Sequence, residues 1–138
     1  MIAYVDSSVL MRRVLGQSPR LSEYGSIKHA VASALVELEC LRTLDRLRHT
    51  QQWQSTEMVV HQEAVYRAIE HMEVVSLSRA VLERAKQPLP VPLGSLDALH
   101  LSTALLWREE QQQDLVLATH DAGLGLAARA CGLLVIGT

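Results

Sequence analysis

Short apolar runs alternate with helix-forming segments along the chain, and this alternation constrains the fold more than any other feature. The runs that read as strands cover 2–5, 29–32, 74–77, 115–118 and 133–136. Because a strand needs a long crossover to return beside a parallel neighbour, a helix between strands favours parallel pairing. The pattern therefore predicts an α/β fold: a three-layer arrangement with a parallel sheet of four to five strands flanked by helices.

The expected helices begin at capping residues and carry apolar residues along one face. Ser7 and Ser8 can cap the first helix, and Gly16 ends it. Pro19 suits the first position of a second helix, because its missing N–H costs nothing there. The remaining helices are expected over 34–48, 58–72, 79–86, 97–110 and 122–130, with Leu35, Leu38, Leu41 and Leu44 sharing one side of the helix over 34–48.

Composition limits the classes of protein to which the chain can belong. Its 138 residues fit a single domain over 1–138, and a hydrophobic content of 49% is sufficient for a core without disulfides. Cys40 and Cys131 lie far apart in helical patterns, so we expect two reduced thiols in a cytoplasmic protein. We expect no leader peptide, because Asp6 interrupts the first apolar run, and no run long enough to cross a membrane. The net charge of −2 does not by itself indicate a nucleic-acid partner.

Acidic residues lie where predicted strands end or where the next helices begin. The carboxyl ends of parallel strands meet at one edge of a sheet, so four carboxylates from distant parts of the chain can share one cleft. The residues concerned are Asp6, Glu37 or Glu39, Asp97 and Asp121.

Carboxylates packed together repel one another unless a cation compensates their charge. Mg²⁺ prefers oxygen ligands and also accepts phosphate oxygens of a substrate. The acids therefore indicate a site for Mg²⁺, with Mn²⁺ as a substitute, that hydrolyses phosphodiester bonds. The alternative is that two or three of them only cap helices, as the position of Asp97 in a first helical turn allows.

Four stretches, in order, resemble the PIN-domain family and, within it, the VapC-like toxin ribonucleases of toxin–antitoxin pairs. Each stretch alone is weakly specific, but the ordered set spans nearly the whole chain. The stretches are Tyr4–Ser8, Ala32–Arg42, Pro92–Leu101 and Leu117–Asp121, followed by Ala127-Ala128 and Gly132-Leu133.

The resemblance implies a PIN-like fold and a metal-dependent endoribonuclease. It implies that Asp6, Glu39, Asp97 and Asp121 are catalytic, with Asp6, Asp97 and Asp121 holding the metal. It also implies that the hydroxyls of Ser7 or Ser8 and Thr119 support the metal site.

Glu37 and Glu39 are two residues apart, so they point to nearly opposite sides of a helix and cannot both enter the cleft easily. The family spacing, counted from Ser33 and followed three residues later by Arg42, selects Glu39. His100 lies about one helical turn after Asp97, so the two could form a metal pair. We instead expect His100 to be a satisfied structural histidine of a buried helix.

An RNA substrate, a cognate antitoxin covering the cleft and a second copy of the chain are the expected partners. Arg12, Arg13 and Arg42 are candidates for RNA-phosphate contacts, although solvated arginine is the alternative for each. Apolar positions on the early helices could form a dimer interface: Val9, Met11 and Tyr24. Alternative functions are a PIN-domain nuclease of RNA processing outside a toxin–antitoxin pair and a non-catalytic PIN-like interaction module.

Overall fold

The computed structural model describes residues 1–138. Its strands are β1 (Ile2–Val5), β2 (His29–Ser33), β3 (Glu73–Val75), β4 (Val116–Ala118) and β5 (Leu134–Ile136). Its α-helices are α1 (Ser7–Val14), α2 (Leu35–Thr50), α3 (Ser55–Glu70), α4 (Arg79–Ala85), α5 (Ser95–Gln111) and α6 (Ala122–Ala130), and a short 3₁₀ helix covers Ser22–Ser26. None of these helices combines the length and the apolar character needed to cross a bilayer.

All five strands are parallel and form one sheet in the order β3-β2-β1-β4-β5. The first strand lies at the centre, where Tyr4 pairs with Val31 of β2 and with Leu117 of β4. The expected parallel α/β sheet is confirmed, with five strands. From β1 the chain first adds β2 and β3 on one side of the sheet and then β4 and β5 on the other. Ligands of such sheets bind beyond the carboxyl ends of the strands where the strand order reverses, which here is at β1.

Alternate residues of the central strands point to opposite faces of the sheet and enter different cores. On one face, Tyr4, Val31 and Leu117 join a core built with α5 and α6. On the other face, Ala32 joins a core built with α1, α2 and α3. The molecule therefore has three layers, and α1, α2 and α6 begin just after the carboxyl ends of β1, β2 and β4.

Two local expectations were wrong. Pro19 starts no α-helix; the chain turns there and forms only the 3₁₀ helix at Ser22–Ser26. On α2, Leu38 is 57% exposed, because the buried side follows the spacing of four residues from Val36 through Cys40 to Leu44. The leucines are three residues apart, and because a helical turn takes 3.6 residues, such positions do not all stay on the buried face.

The surface expected for pairing of two copies is also different. Val9 is 2% exposed and Met11 is 7% exposed, so both belong to the protein's own core. Tyr24 is partly buried beneath the guanidinium of Arg13, which lies 4.1 Å from the centre of its ring. These three side chains do not offer a free apolar interface.

Candidate active site

The four candidate acids come from four different elements that end or begin at the same edge of the sheet. Asp6 directly follows β1, and Asp121 lies at the N-cap of α6, just after β4. Glu39 lies early in α2, and Asp97 lies in the first turn of α5. Because the strands are parallel, the topology alone brings these positions together.

Asp6 is the most enclosed of the four acids, with 4% of its surface exposed. It occupies the N-cap position of α1, but its side chain makes no capping hydrogen bond. Its Oδ2 instead accepts hydrogen bonds from Ser8 Oγ at 2.7 Å and from Thr119 Oγ1 at 2.8 Å. Ser7 Oγ lies 3.4 Å from the other carboxylate oxygen. All three hydroxyls singled out in the sequence therefore surround this carboxylate.

The same hydroxyls connect Asp6 to the segment that carries Asp121. Thr119 Oγ1 accepts a hydrogen bond from the backbone N–H of Asp121 at 2.9 Å. Ser8 Oγ accepts one from the backbone N–H of His120, also at 2.9 Å. The side chain of Asp121 caps α6 by accepting from the backbone N–H of Leu124 at 2.8 Å. Asp121 thus caps a helix as the alternative interpretation proposed, but only one of its oxygens is used.

His100 links the remaining acid to this group. It is fully buried, and its Nδ1 lies 2.7 Å from the hydroxyl of Tyr4. Its Nε2 lies 2.5 Å from Glu39 Oε1 and 3.8 Å from Asp6 Oδ1. The ring is buried and hydrogen bonded, as expected, but its partners make it part of the acidic group.

The surroundings of His100 act on its pKa in opposite directions. Burial lowers the pKa, whereas the hydrogen bond to Glu39 and the negative charges of Asp6, Glu39 and Asp97 raise it, and the net direction is upward. Neither His100 nor Tyr4 was expected in the site from the sequence. The spacing of His100, three residues after Asp97, was the signal that could have identified it.

The two glutamates of α2 occupy different surroundings. Glu39 is partly buried against His100, whereas Glu37 is exposed and makes no side-chain contact with the other acids. The placement agrees with the selection of Glu39 from the sequence. Just beneath it, burial raises the pKa of the Cys40 thiol to about 12, and the charges of Glu39 and Asp6 contribute to the shift. Cys40 is therefore an unreactive core thiol.

Asp97 does not behave as a helix cap. The N-cap of α5 is Gly94, and the carboxylate of Asp97 accepts no hydrogen bond from the protein. Partial burial raises the pKa of Asp97, and the negative charges of Asp121, Asp6 and Glu39 raise it further, whereas His100 lowers it. The three other carboxylates therefore disfavour the charged form of Asp97, and no hydrogen bond from the protein offsets them.

The donor set fits a hard divalent cation. It consists of carboxylate oxygens, and the only basic side chain in contact with the four acids is His100, which lies against Asp6 and Glu39. Neither lysine nor arginine neutralises the group, so a bound cation would relieve the repulsion that Asp97 experiences. The acidic side chains are not arranged as a complete metal site, because no group of three His, Cys, Asp or Glu residues is positioned to hold a metal ion.

The three arginines singled out for RNA make contacts of their own. Arg12 donates a hydrogen bond to the carbonyl of Pro19, and Arg42 forms an exposed ion pair with Asp45 at 3.2 Å. Arg13 has no acidic partner and lines an open groove of about 440 Å³ together with Arg67. None of the three arginines forms an ion pair with the acidic group.

Comparison with known proteins adds information to this geometry. The family model described as PIN domain matches residues 3–130. The chain is 31% identical to Ribonuclease VapC46 of Mycobacterium tuberculosis over 138 residues, which cover 96% of this chain and 95% of that protein. It also resembles a chain in the crystal structure of VapBC2 from Rickettsia felis bound to a DNA fragment from their promoter, with a TM-score of 0.66 and 14% identity. That match covers 98% of this chain and 97% of the other, and at this identity it concerns the fold alone.

Proposed function

The chain belongs to the PIN-domain family, and on that premise we propose that it is a metal-dependent endoribonuclease, the toxin of a toxin–antitoxin pair. The observation that carries the proposal is the uncompensated acidic group at the carboxyl edge of the sheet. Its members are Asp6, Glu39, Asp97 and Asp121. A relative that is 31% identical over nearly the full length is named as a ribonuclease, which supports the reaction class.

In this proposal Asp6, Asp97 and Asp121 hold Mg²⁺, for which Mn²⁺ can substitute. When bound, the cation would supply positive charge that polarises the scissile phosphate and makes a water molecule easier to deprotonate. Asp6 is held ready for this task, because Ser8 and Thr119 already fix its Oδ2. The free oxygen of Asp121 and the unpaired carboxylate of Asp97 are available to the same ion.

Glu39 is assigned the role of the general base. Its Oε1 is engaged by His100, and its side chain is 23% exposed, so the carboxylate can meet solvent and substrate at the rim of the group. It would accept a proton from the attacking water as the new phosphorus–oxygen bond forms and the bond to the leaving oxygen breaks. Ser7, Ser8 and Thr119 keep the neighbouring Asp6 in place during that step.

RNA must also be held by its phosphates, which give affinity without sequence information. Of the candidates Arg12, Arg13 and Arg42, Arg13 is the one whose guanidinium has no acidic or carbonyl partner, and it lines the groove with Arg67. Arg42 would first have to leave Asp45, and Arg12 would have to leave Pro19.

We assign a cognate antitoxin and a second copy of the chain as protein partners, the antitoxin covering the acidic group. Because Val9 and Met11 are buried, the dimer interface must use other apolar side chains. Candidates are the exposed apolar side chains of α2, of β3 and the loop after it, and of α4: Leu38, Val74, Leu77 and Leu82. Both cysteines are free, in keeping with the proposed cytoplasmic location.

Brief induction of the wild type and of Asp6→Asn in cells, followed by mapping of RNA 5′ ends, tests the function. The proposal predicts growth arrest and new discrete RNA ends with the wild type and neither with Asp6→Asn. New ends confined to one maturing precursor, without growth arrest, would favour the RNA-processing alternative. Growth arrest by both proteins, with no new ends, would favour the non-catalytic interaction module.

A further inference from the structure

A continuous line of hydrogen bonds runs from the centre of the sheet to the edge of the acidic group. It begins at the hydroxyl of Tyr4 on β1, passes through both ring nitrogens of His100 on α5 and ends at Glu39 on α2. Tyr4 and His100 have no exposed surface, whereas the carboxylate of Glu39 is partly exposed. These hydrogen bonds therefore connect two buried side chains to a carboxylate that is accessible to a substrate.

The chemistry of the two end groups determines how the ring of His100 is oriented. An ionised carboxylate can only accept hydrogen bonds, so Nε2 of His100 must carry the hydrogen that faces Glu39. In a neutral ring Nδ1 is then an acceptor, and the hydroxyl of Tyr4 donates to it. Burial raises the pKa of Tyr4 well above its ordinary value, so this hydroxyl retains its proton. Tyr4 thus selects the tautomer that presents a donor to Glu39.

Packing alone does not explain a histidine at this position. The side chain lies inside a helix whose buried neighbours include Leu101, Ala104 and Leu105, where an aliphatic residue would fill the space without polar atoms. A buried ring with two polar atoms is tolerated because both are satisfied. One of those two bonds is made to a carboxylate that needs no internal partner, since it already reaches solvent. The contact therefore serves the carboxylate rather than the core.

We propose that His100 is a positioning residue for Glu39, which fixes Oε1 of that carboxylate and leaves Oε2 for the reaction, and that Tyr4 fixes His100 in turn. This inference rests on the proposed nuclease function and adds two residues to it. A glutamate on a helix surface otherwise samples several rotamers, and holding one of its oxygens removes most of that freedom. Groups that orient a reacting side chain in this way are worth about 10- to 100-fold in activity.

Two amide substitutions of similar polarity separate positioning from mere folding. His100→Gln places an amide N–H near the position of Nε2 and can still donate to Glu39, whereas His100→Asn reaches only the position of Nδ1. We expect His100→Asn to lower kcat about 10- to 100-fold with little change in KM, and His100→Gln to restore most of the loss. Equal losses of kcat in the two variants would contradict the inference.

A double-mutant cycle tests whether His100 acts through Glu39. Glu39→Asp withdraws the carboxylate from His100 by one methylene while leaving a carboxylate in place. In that background we expect His100→Asn to change kcat by less than about twofold, because the contact is already broken. Losses that multiply independently would mean that His100 acts elsewhere.

A spectroscopic test does not depend on RNA cleavage. In the wild type the Nε2 hydrogen of His100 should give an exchange-protected, downfield imidazole proton resonance. This resonance should disappear in His100→Gln, shift in Glu39→Gln and stay unmoved in Glu37→Gln. A resonance unaffected by Glu39→Gln would overturn the inference whatever the enzyme does.

Failure of the inference and failure of the proposed function have different outcomes. RNA cleavage that His100→Asn leaves at the wild-type rate would overturn the positioning role and leave the nuclease function standing. A wild type that cleaves no RNA, with a resonance that still responds to Glu39→Gln, would overturn the function and keep the contact between His100 and Glu39.

Discussion

Thr119 Oγ1 donates a hydrogen bond of 2.8 Å to Asp6 Oδ2, joining two residues that are 113 positions apart in the sequence. The bond crosses from the end of β4 to the end of β1, directly above the pair Val5 and Ala118 in the sheet. The same oxygen of Thr119 accepts from the backbone N–H of Asp121. One buried hydroxyl therefore sets the position of two of the four acids.

Replacing this hydroxyl by a methyl group in Thr119→Val should weaken Mn²⁺ binding and RNA cleavage about 10-fold, because Asp6 loses its most buried donor. The free energy of unfolding should fall by about 1–3 kcal/mol, since the backbone N–H of Asp121 also loses its acceptor. Isothermal titration with Mn²⁺ and a cleavage assay measure the first effect, and urea unfolding measures the second.

Thr103→Val is the matched control, because Thr103 is equally buried but bonds only to the carbonyl of Leu99 within α5. It should leave Mn²⁺ affinity and cleavage unchanged. Wild-type cleavage by Thr119→Val would show that the hydroxyl is not needed to hold Asp6.

The two glutamates of α2 should respond differently to the same chemical change. Glu39→Gln removes the proposed general base and should lower kcat by at least about 100-fold. Glu37→Gln alters an exposed side chain and should change kcat by less than about twofold. Single-turnover cleavage of a labelled RNA gives both rates. The reverse order of effects would mean that Glu37 is the acid of this helix that acts in catalysis.

The raised pKa of Asp97 makes a prediction about stability against pH. The folded protein keeps the proton of Asp97 to a higher pH than the unfolded chain, whose ordinary value is 3.8. Its ionisation therefore lowers the free energy of unfolding as pH rises through the folded pKa, and the loss persists above it. In EDTA, Asp97→Asn should have a higher Tm than the wild type at pH 7, and the difference should vanish below pH 3.8.

Metal binding should change in the opposite direction, because Asp97→Asn removes a proposed ligand and should weaken Mn²⁺ binding by about 10-fold or more. The exposed Asp114 gives the control variant Asp114→Asn, which should alter neither quantity. A lowered Tm with unchanged Mn²⁺ affinity would return Asp97 to the role of a residue that only stabilises its helix.

Arg13 should contribute to RNA binding more than other exposed arginines. In an Asp6→Asn background, Arg13→Ala should weaken RNA binding several-fold and reduce the slope of log K against log salt by about 0.7, as expected for the loss of one phosphate contact to a single strand. Arg46, whose side chain hydrogen-bonds to Thr43 and forms no ion pair, provides the control Arg46→Ala. Equal slopes for the two variants would exclude a phosphate contact specific to Arg13.

Much of the fold could be predicted from the sequence because parallel strands bury both faces and so appear as short apolar runs. The run ending at Asp6 and the run before Thr119 both marked the carboxyl edge correctly. The placement of Glu39 rather than Glu37 beside the other acids followed from helix geometry together with the family spacing. These features are determined by residues that are close together in the sequence, so they can be read from one sequence.

Other features depend on contacts between distant residues, and these escaped prediction. His100 meets Tyr4 and Glu39 at separations of 96 and 61 residues, so beyond its spacing from Asp97 no local pattern shows which acid the histidine contacts. Leu38 was assigned to the core because leucine is apolar, but which side of α2 is buried depends on the position of α3. At Pro19 the proline is compatible with a helix start, but the chain bends there instead.

The most direct test of the metal-dependent nuclease is RNA cleavage by the purified wild type and Asp6→Asn across a titration of Mg²⁺. The account predicts that the wild type cleaves in proportion to bound Mg²⁺, stops in EDTA and recovers when Mg²⁺ is restored. Asp6→Asn should remain folded and cleave at least about 100-fold more slowly. Cleavage that persists in EDTA, or equal rates for the two proteins, would contradict the account.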